Sequence, residues 1–491
     1  YARRAGDRAL AQLAHDEAAE YYGSALNLLD AGGASKDDPR RVELLIGRGE
    51  AQRRAGDTGY QQTLLDAADL ARQLGDARAL ARAALANSVG HLWTAAFIVN
   101  TARIEVLDAA ITAVGEEDVL LRARLLATLG LELGWHPDPR RRLASSEEAL
   151  RIARSMGDPE TIAHVLLARD YTISAPQNAR ERFATTTELL TIAEQRGDPV
   201  LASRALSLRF KAAMELTDVD EAERCLATNR MLVAELGQPG LTWSVMHHQA
   251  TLAILHGHVD AEAAMAKASE FGRRIGQPEI FAMAQRWSLR LEQGRLDEFA
   301  EFLRQVAERT QSPYTRVLEA HLRAETGQPE AAVQVLDEMA GKGFIHPTHN
   351  VAWLGFMTES AWLTARFRRK DCVPPLRATL EPFADQLVVG AFSGWVPGSV
   401  AFYLGLLCTT IEDWVEADAY FVAAEATEQR IRAPILLART RLEWARMLLE
   451  RRGDGDVERA RQVLGDCLDT ARERGLVSIE RDAGALRAEI P

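Results

Sequence analysis

The chain is poor in the features that mark many functional classes. Its four cysteines, Cys225, Cys372, Cys408 and Cys467, lie far apart in 491 residues and form no CxxC pair. A disulfide scaffold is excluded, and a reducing cytoplasm is the expected compartment. An excess of basic charge is also lacking: the net charge is -12 and the sequence pI about 5.5, so the average surface repels a phosphate backbone. Nucleic-acid binding by this segment is therefore not expected. No run reaches the roughly 18 to 20 apolar residues of a membrane span. The most apolar stretch, "VAFYLGLLCTTI" from Val400 to Ile411, reads as a buried helix. The chain begins without Met and without the apolar core of a signal peptide, as expected of a piece of a longer protein. Low-complexity tracts are missing, and 47% hydrophobic with 26% charged residues is an ordinary globular balance, so the chain is expected to fold throughout.

What is there is a ladder. The Gly of recurring "GD" and "GQ" dipeptides falls at Gly75, Gly115, Gly157, Gly197, Gly237 and Gly276, with spacings of 40, 42, 40, 40 and 39 residues. Such regularity marks an internal repeat. Five places before each Gly stand Leu70, Ala110, Ile152, Ile192, Leu232 and Phe271, and four places before stand Ala71, Ile111, Ala153, Ala193, Val233 and Gly272. Large apolar residues beside mostly small ones are what stacked helices need at a shared seam.

Each mark has a local physical meaning. Gly157 or Gly197 supplies the positive φ that ends a helix, Asp158 or Asp198 caps the next, and Pro159 or Pro199 fits its first turn. The tripeptide Arg196-Gly197-Asp198 is thus punctuation and not an adhesion signal, since its Arg is Met156 and Leu236 in neighbouring copies. Midway through several units a second turn recurs: "LTDVDEA" at 216 to 222, "HGHVDAEA" at 256 to 263, "QGRLDEFA" at 293 to 300 and "TGQPEAA" at 326 to 332. Each unit is two antiparallel helices, and no stretch alternates as a strand would.

The expectation is an all-α, tetratricopeptide-like α-solenoid, a right-handed superhelix of antiparallel helix pairs. Residues 1–345 are expected to hold regular hairpins of about 40 residues. Residues 346–491 continue the superhelix with irregular, aromatic-rich units and a C-terminal repeat. Within that part "VAWLGFMTESAWLTARF" and "SVAFYLGLLCTTIEDWVEADAYFVAAEAT" read as helices more buried than their neighbours.

The succession "VLDAAITAVGEEDVLLRARLLATLGLELGW", "RRRLASSEEALRIARSMGDPETIAHVLLARDY", "RERFATTTELLTIAEQRGDPVLASRALSLRF" and "ILHGHVDAEAAMAKA" resembles the C-terminal helical region of actinobacterial signal-transduction (STAND) ATPases. These include MalT-like regulators of the LuxR type and proteins joining a nucleotide cyclase to an ATPase. The resemblance implies a sensor and scaffold arm that binds a partner protein or small-molecule effector and controls a neighbouring ATPase domain. The G-x4-GK[ST] phosphate loop is absent from this segment, since "AGKGF" at 340 to 344 lacks the spacing, and no DNA-binding helix-turn-helix follows. No cofactor, catalytic residue or membrane contact is expected here.

Candidate contacts come from the repeat. Twelve residues after the marker Gly lie Arg169, Arg209, Gln249 and Ser288, a polar column on the first helices, which usually line the concave face of a solenoid. Trp243, His248 and Trp287 flank it. Paired structural arginines and core tryptophans are the competing reading. The one His cluster, His247, His248, His256 and His258, raises the question of zinc, but a solvated turn at "HGH" explains the latter pair, and no metal is expected. Each cysteine is expected inside an amphipathic helix as a small buried residue. The alternatives in function are a pure assembly scaffold and an enzyme with a site in 341–400 around His346, His349 and Asp385.

Overall fold

The computed structural model describes residues 1–12, 14–88, 99–310, 312–346 and 349–490. These form 25 α-helices and one two-stranded sheet, and the chain divides into two compact units, Tyr1–Ile173 and Ser174–Pro491.

The first unit holds α1 (Ala2–Ala11), α2 (His15–Ala31), α3 (Pro39–Ala55), α4 (Tyr60–Gln73), α5 (Ala77–Asn87), α6 (Thr101–Val114), α7 (Val119–Glu132), α8 (Pro139–Met156) and α9 (Pro159–Thr172). Consecutive helices pack on one another, and Leu64, Leu107, Leu125 and Leu133 are fully buried. A buried polar relay crosses it: Arg103 donates to the Tyr60 hydroxyl at 2.8 Å and faces Glu132 at 3.8 Å, and Ser88 donates to Glu132 at 2.6 Å.

The second unit continues with α10 (Ala179–Arg196), α11 (Pro199–Glu215), α12 (Val219–Leu236), α13 (Pro239–Leu255), α14 (Ala261–Arg274), α15 (Glu279–Glu292), α16 (Ala300–Thr310), α17 (Pro313–Glu325) and α18 (Pro329–Gly341). It ends with α19 (Trp353–Arg366), α20 (Val373–Leu380), strands β1 (Leu387–Gly390) and β2 (Trp395–Ser399), α21 (Val400–Thr410), α22 (Trp414–Arg430), α23 (Pro434–Arg451), α24 (Asp456–Arg474) and α25 (Val477–Ala488). Stacked antiparallel hairpins make this a tetratricopeptide-like α-solenoid.

The punctuation works as chemistry demands. Gly157, Gly197 and Gly237 are left-handed at φ 68°, 58° and 62°. Asp158 and Asp198 accept from the backbone N–H of Thr161 and Leu201 at 2.8 and 2.9 Å, and Pro159 and Pro199 open the helices. Gln238 makes no such bond. In the small-residue column Ala71, Ala153, Ala193, Val233 and Gly272 are buried. Gly272 is required, because a Cβ there would stand 2.6 Å from the indole nitrogen of Trp243.

Three expectations are corrected. The stretch 399–427 is not one helix: it breaks into α21 and α22 at Glu412, which is left-handed at φ 64°. A strand pair exists where none was expected. β1 and β2 run antiparallel with Leu387 opposite Ser399 and Val388 opposite Gly398. Both strands are almost wholly buried, so they lack the polar-apolar alternation that betrays a half-exposed strand. Leu387, Val389 and Val396 pack with Leu206, Phe210, Leu252, Leu255 and Leu436, so the hairpin fills the space between early and late helices of this unit. Cys372 is also a correction, for it lies in a 3-10 turn before α20 and not inside an amphipathic helix.

The second unit closes on itself. Arg474 donates to the Gly257 carbonyl at 2.9 Å, Arg430 to Thr217 at 2.8 Å, and Arg432 reaches Asp220 and Glu223 at 2.9 and 2.8 Å. α15 touches α25, and α13 touches α23. Consequently the first helices of successive pairs face a common interior.

Candidate ligand-binding cavity

That interior holds a cavity of about 700 Å³ walled by α15, α17, α19, α21, α23 and α25, with Pro397 of β2 also lining it. Its side chains recur at helical spacing: Trp287 and Leu291 on α15, Glu359 and Trp362 on α19, Arg439, Leu442 and Arg446 on α23. Rows at i, i+3 and i+4 form one face of a helix, so each wall presents one stripe inward.

One ion pair and one histidine–carboxylate contact line the cavity walls. Arg439 donates to Glu292 at 3.4 Å and to the Pro397 carbonyl, and its guanidinium lies 4.9 Å over the Phe402 ring. Burial raises the pKa of the Glu292 carboxyl and Arg439 only partly offsets it, while Glu325 pushes it further up. His321 Nδ1 lies 2.5 Å from Glu359, its ring stacks on Trp362 at 3.8 Å, and Trp287 meets it edge-on at 5.7 Å. Toward the rim Arg446 contacts Glu443 at 3.3 Å and Asp482 at 3.6 Å. Burial raises the pKa of Glu443, and Asp482 adds to it against Arg446. The arrangement offers buried carboxylates, a tethered imidazole and aromatic walls to whatever enters it.

The residues singled out in the sequence are dispersed. Trp287 lines this cavity, and Ser288 lines a narrow cleft of about 30 Å³ that shares Trp287, Glu292 and Arg439 with it. Trp243 and His248 are buried, and the turn between β1 and β2 packs onto them. Phe392, left-handed at φ 55°, stacks 5.8 Å from Trp243 and 5.2 Å from His248, which also stacks on Phe210 at 4.2 Å. Burial, with His247 adjacent, lowers the pKa of His248 well below the ordinary imidazole value. Trp243 and His247 also border a second cavity of about 310 Å³ with Arg273, Gln285 and Arg286. Gln249 is half-buried on α13.

Arg209 is held by Glu221, by Thr187 at 2.8 Å and by the Phe183 ring at 3.9 Å. Arg169 donates to Ser146 at 3.1 Å, within the first unit. Both arginines thus pair with the adjoining helices of their own stacks. The other His pair stands at the α13–α14 turn, with rings 5.6 Å apart and His256 3.7 Å from Glu223. Among the described residues no group of three His, Cys, Asp or Glu side chains is placed to hold a metal ion.

In the irregular segment, Asp385 pairs with Arg180 at 3.5 Å, His346 is buried 5.3 Å from the Phe356 ring, and the His349 ring lies tilted 4.4 Å from Trp353 beside Gln177. Each is engaged with different neighbours; Pro347 and Thr348 lie outside the described residues. The four cysteines are buried, and burial pushes the Cys225, Cys408 and Cys467 thiols up to about 12 and Cys372 to about 11. Thiolate nucleophiles are disfavoured there.

Sequence reasoning missed Glu292, His321, Glu359, Trp362 and Arg439. They occupy the inner stripe of α15 to α23, and extending the polar column past Ser288 by hairpin position was the available signal. It failed because the glycine marks stop at Gly276.

The chain matches no protein-family model, and no curated protein resembles it in sequence. Among solved structures it aligns with the APC/C hetero-tetramer Cut9–Hcn1 at 14% identity over 98% of this chain and 96% of that one, with a TM-score of 0.40. Yeast Tom70 aligns at 13% identity over 99% and 95%, TM-score 0.24. A circular tandem repeat protein with novel repeat topology aligns at 15% over 97% and 88%, TM-score 0.13. The fold assignment rests on the hairpins themselves and not on these likenesses. A stack of helix hairpins is compatible with a protein-interaction scaffold. No helix among the described residues is long and apolar enough to cross a membrane.

Proposed function

We propose that this segment is the non-catalytic recognition arm of a multidomain cytoplasmic regulator. It binds an effector or partner in the cavity of the second unit and thereby controls a neighbouring ATPase and output domain. The observation that carries the reading is the 700 Å³ interior lined by buried, partly satisfied polar groups and aromatic rings. Its size falls within the roughly 300–1,000 Å³ of small-molecule sites. The regulatory context is supported by the order of sequence motifs shared with the signal-transduction ATPases. A ligand that bridges α15 and α25 would tighten the closure of this unit, which is a means of passing binding on to an attached domain.

The test is thermal denaturation of the 491-residue chain with a panel of cationic, anionic and neutral metabolites. One chemical class is expected to raise Tm progressively with concentration, because it binds the native state alone. Trp362→Ala is expected to abolish the shift. A Tm unmoved by every compound overturns effector sensing and leaves the assembly scaffold.

A further inference from the structure

We infer that the ligand of this cavity is a small organic cation, an ammonium or guanidinium group whose N–H bonds donate to Glu292 and to Nε2 of His321 beside the indoles of Trp287 and Trp362. The inference rests on the recognition reading above and adds its chemistry.

Charge comes first. Seven carboxylates and five arginines line the cavity, and four of those arginines are already engaged: Arg439 by Glu292, Arg446 by Glu443 and Asp482, Arg481 by Asp482, and Arg368 by Glu450. An anion would have to displace these carboxylates from every lining arginine but Arg366. A cation meets an excess of them.

Acceptors come second. Glu292 is 6% exposed, and its contact with Arg439 is a long 3.4 Å, which leaves lone pairs of the carboxylate to be met. His321 is 4% exposed; the tautomer with Nδ1–H directed at Glu359 carries its lone pair on Nε2, and that buried atom has no hydrogen-bond partner. An N–H donor is what such a site lacks. Aromatic faces come third, since indole rings attract organic cations through the ring quadrupole. Trp287 and Trp362 flank His321 and both line the cavity.

Protons give an independent readout. Burial holds the Glu292 pKa up, and facing it are Arg439 on α23, Glu325 and His321 on α17, Tyr403 on α21 and Cys467 on α24. A bound cation lowers that pKa, so binding releases a proton and affinity rises with pH from the carboxylate range toward neutrality.

Agmatine, which carries both an ammonium and a guanidinium, is the probe for titration calorimetry on the full 491-residue chain. A capped tripeptide with a central arginine distinguishes a free cation from a side chain, and succinate is the anionic control. Agmatine or the tripeptide is expected to bind with proton release, and Trp362→Ala and Glu292→Gln to weaken binding about tenfold or more. Because Glu292→Gln leaves Arg439 with less compensation, Glu325→Gln at the exposed rim serves as a second variant, with a loss of about two- to threefold that salt erases. Failure of both cations, or binding indifferent to these variants, overturns the inference. If succinate or a neutral metabolite instead raises Tm in a Trp362-dependent way, the cation is refuted and the recognition arm stands. If nothing binds, effector sensing falls with it.

Discussion

Glu428 on α22 shows how far one buried carboxyl departs from its solution behaviour. It is fully buried and accepts from Ser399 at 3.3 Å, with the Thr440 hydroxyl also beside the carboxyl; burial pushes its pKa up to about 7. Between the ordinary 4.5 and about 7 the unfolded chain has released this proton while the folded chain keeps it. Stability from this group therefore falls as pH rises through that window and is constant above it. Glu428→Gln removes the loss. It is expected to leave stability unchanged at pH 4 and to raise it by up to roughly 3 kcal/mol at pH 8, read by urea denaturation at the two pH values. An equal effect at both would show that packing, not titration, governs the site.

At the scale of elements, the ladder runs further than its glycines. The first helices α11, α13, α15, α17, α19, α21 and α23 are each followed by a left-handed residue: Thr217, Gly257, Gly294, Gly327, Arg368, Glu412 and Arg452. The turn is constant while the residue type is not. Sequence reading follows Gly, so it loses the repeat where arginine and glutamate carry the same conformation at a steric cost. Arg452→Gly, at φ 53°, is expected to stabilise the protein by about 1 kcal/mol. Gly197→Ala, where a Cβ meets nothing within 4 Å and only the backbone resists, is expected to destabilise by a similar amount, about 1 kcal/mol. Paired denaturation curves decide; a destabilising Arg452→Gly would mean that its side chain, not its φ, holds the turn.

At the scale of the whole second unit, closure separates it from an open array. In an open solenoid each hairpin feels only its neighbours. Here α25 touches α15, and a Cβ on Gly294 would lie 2.9 Å from the Ser478 hydroxyl. Deleting residues 477–491 is thus expected to speed amide exchange in α15 as well as in the adjoining α23 and α24. Acceleration confined to α23 and α24 would refute closure.

The sequence by itself determined the helix pairs, their period and their stops, because Gly, Asp and Pro act within a few residues of where they stand. It also pointed to Trp287 and Ser288, which follow from the same count. Tertiary structure alone decided the rest. It covered Trp243 and His248 with Phe392, tied Arg209 to Glu221, inserted an apolar strand pair without alternation, and brought Arg439 to Glu292 across 147 residues. Such pairings depend on where a superhelix closes, a sum of small rotations over many hairpins that no local period encodes.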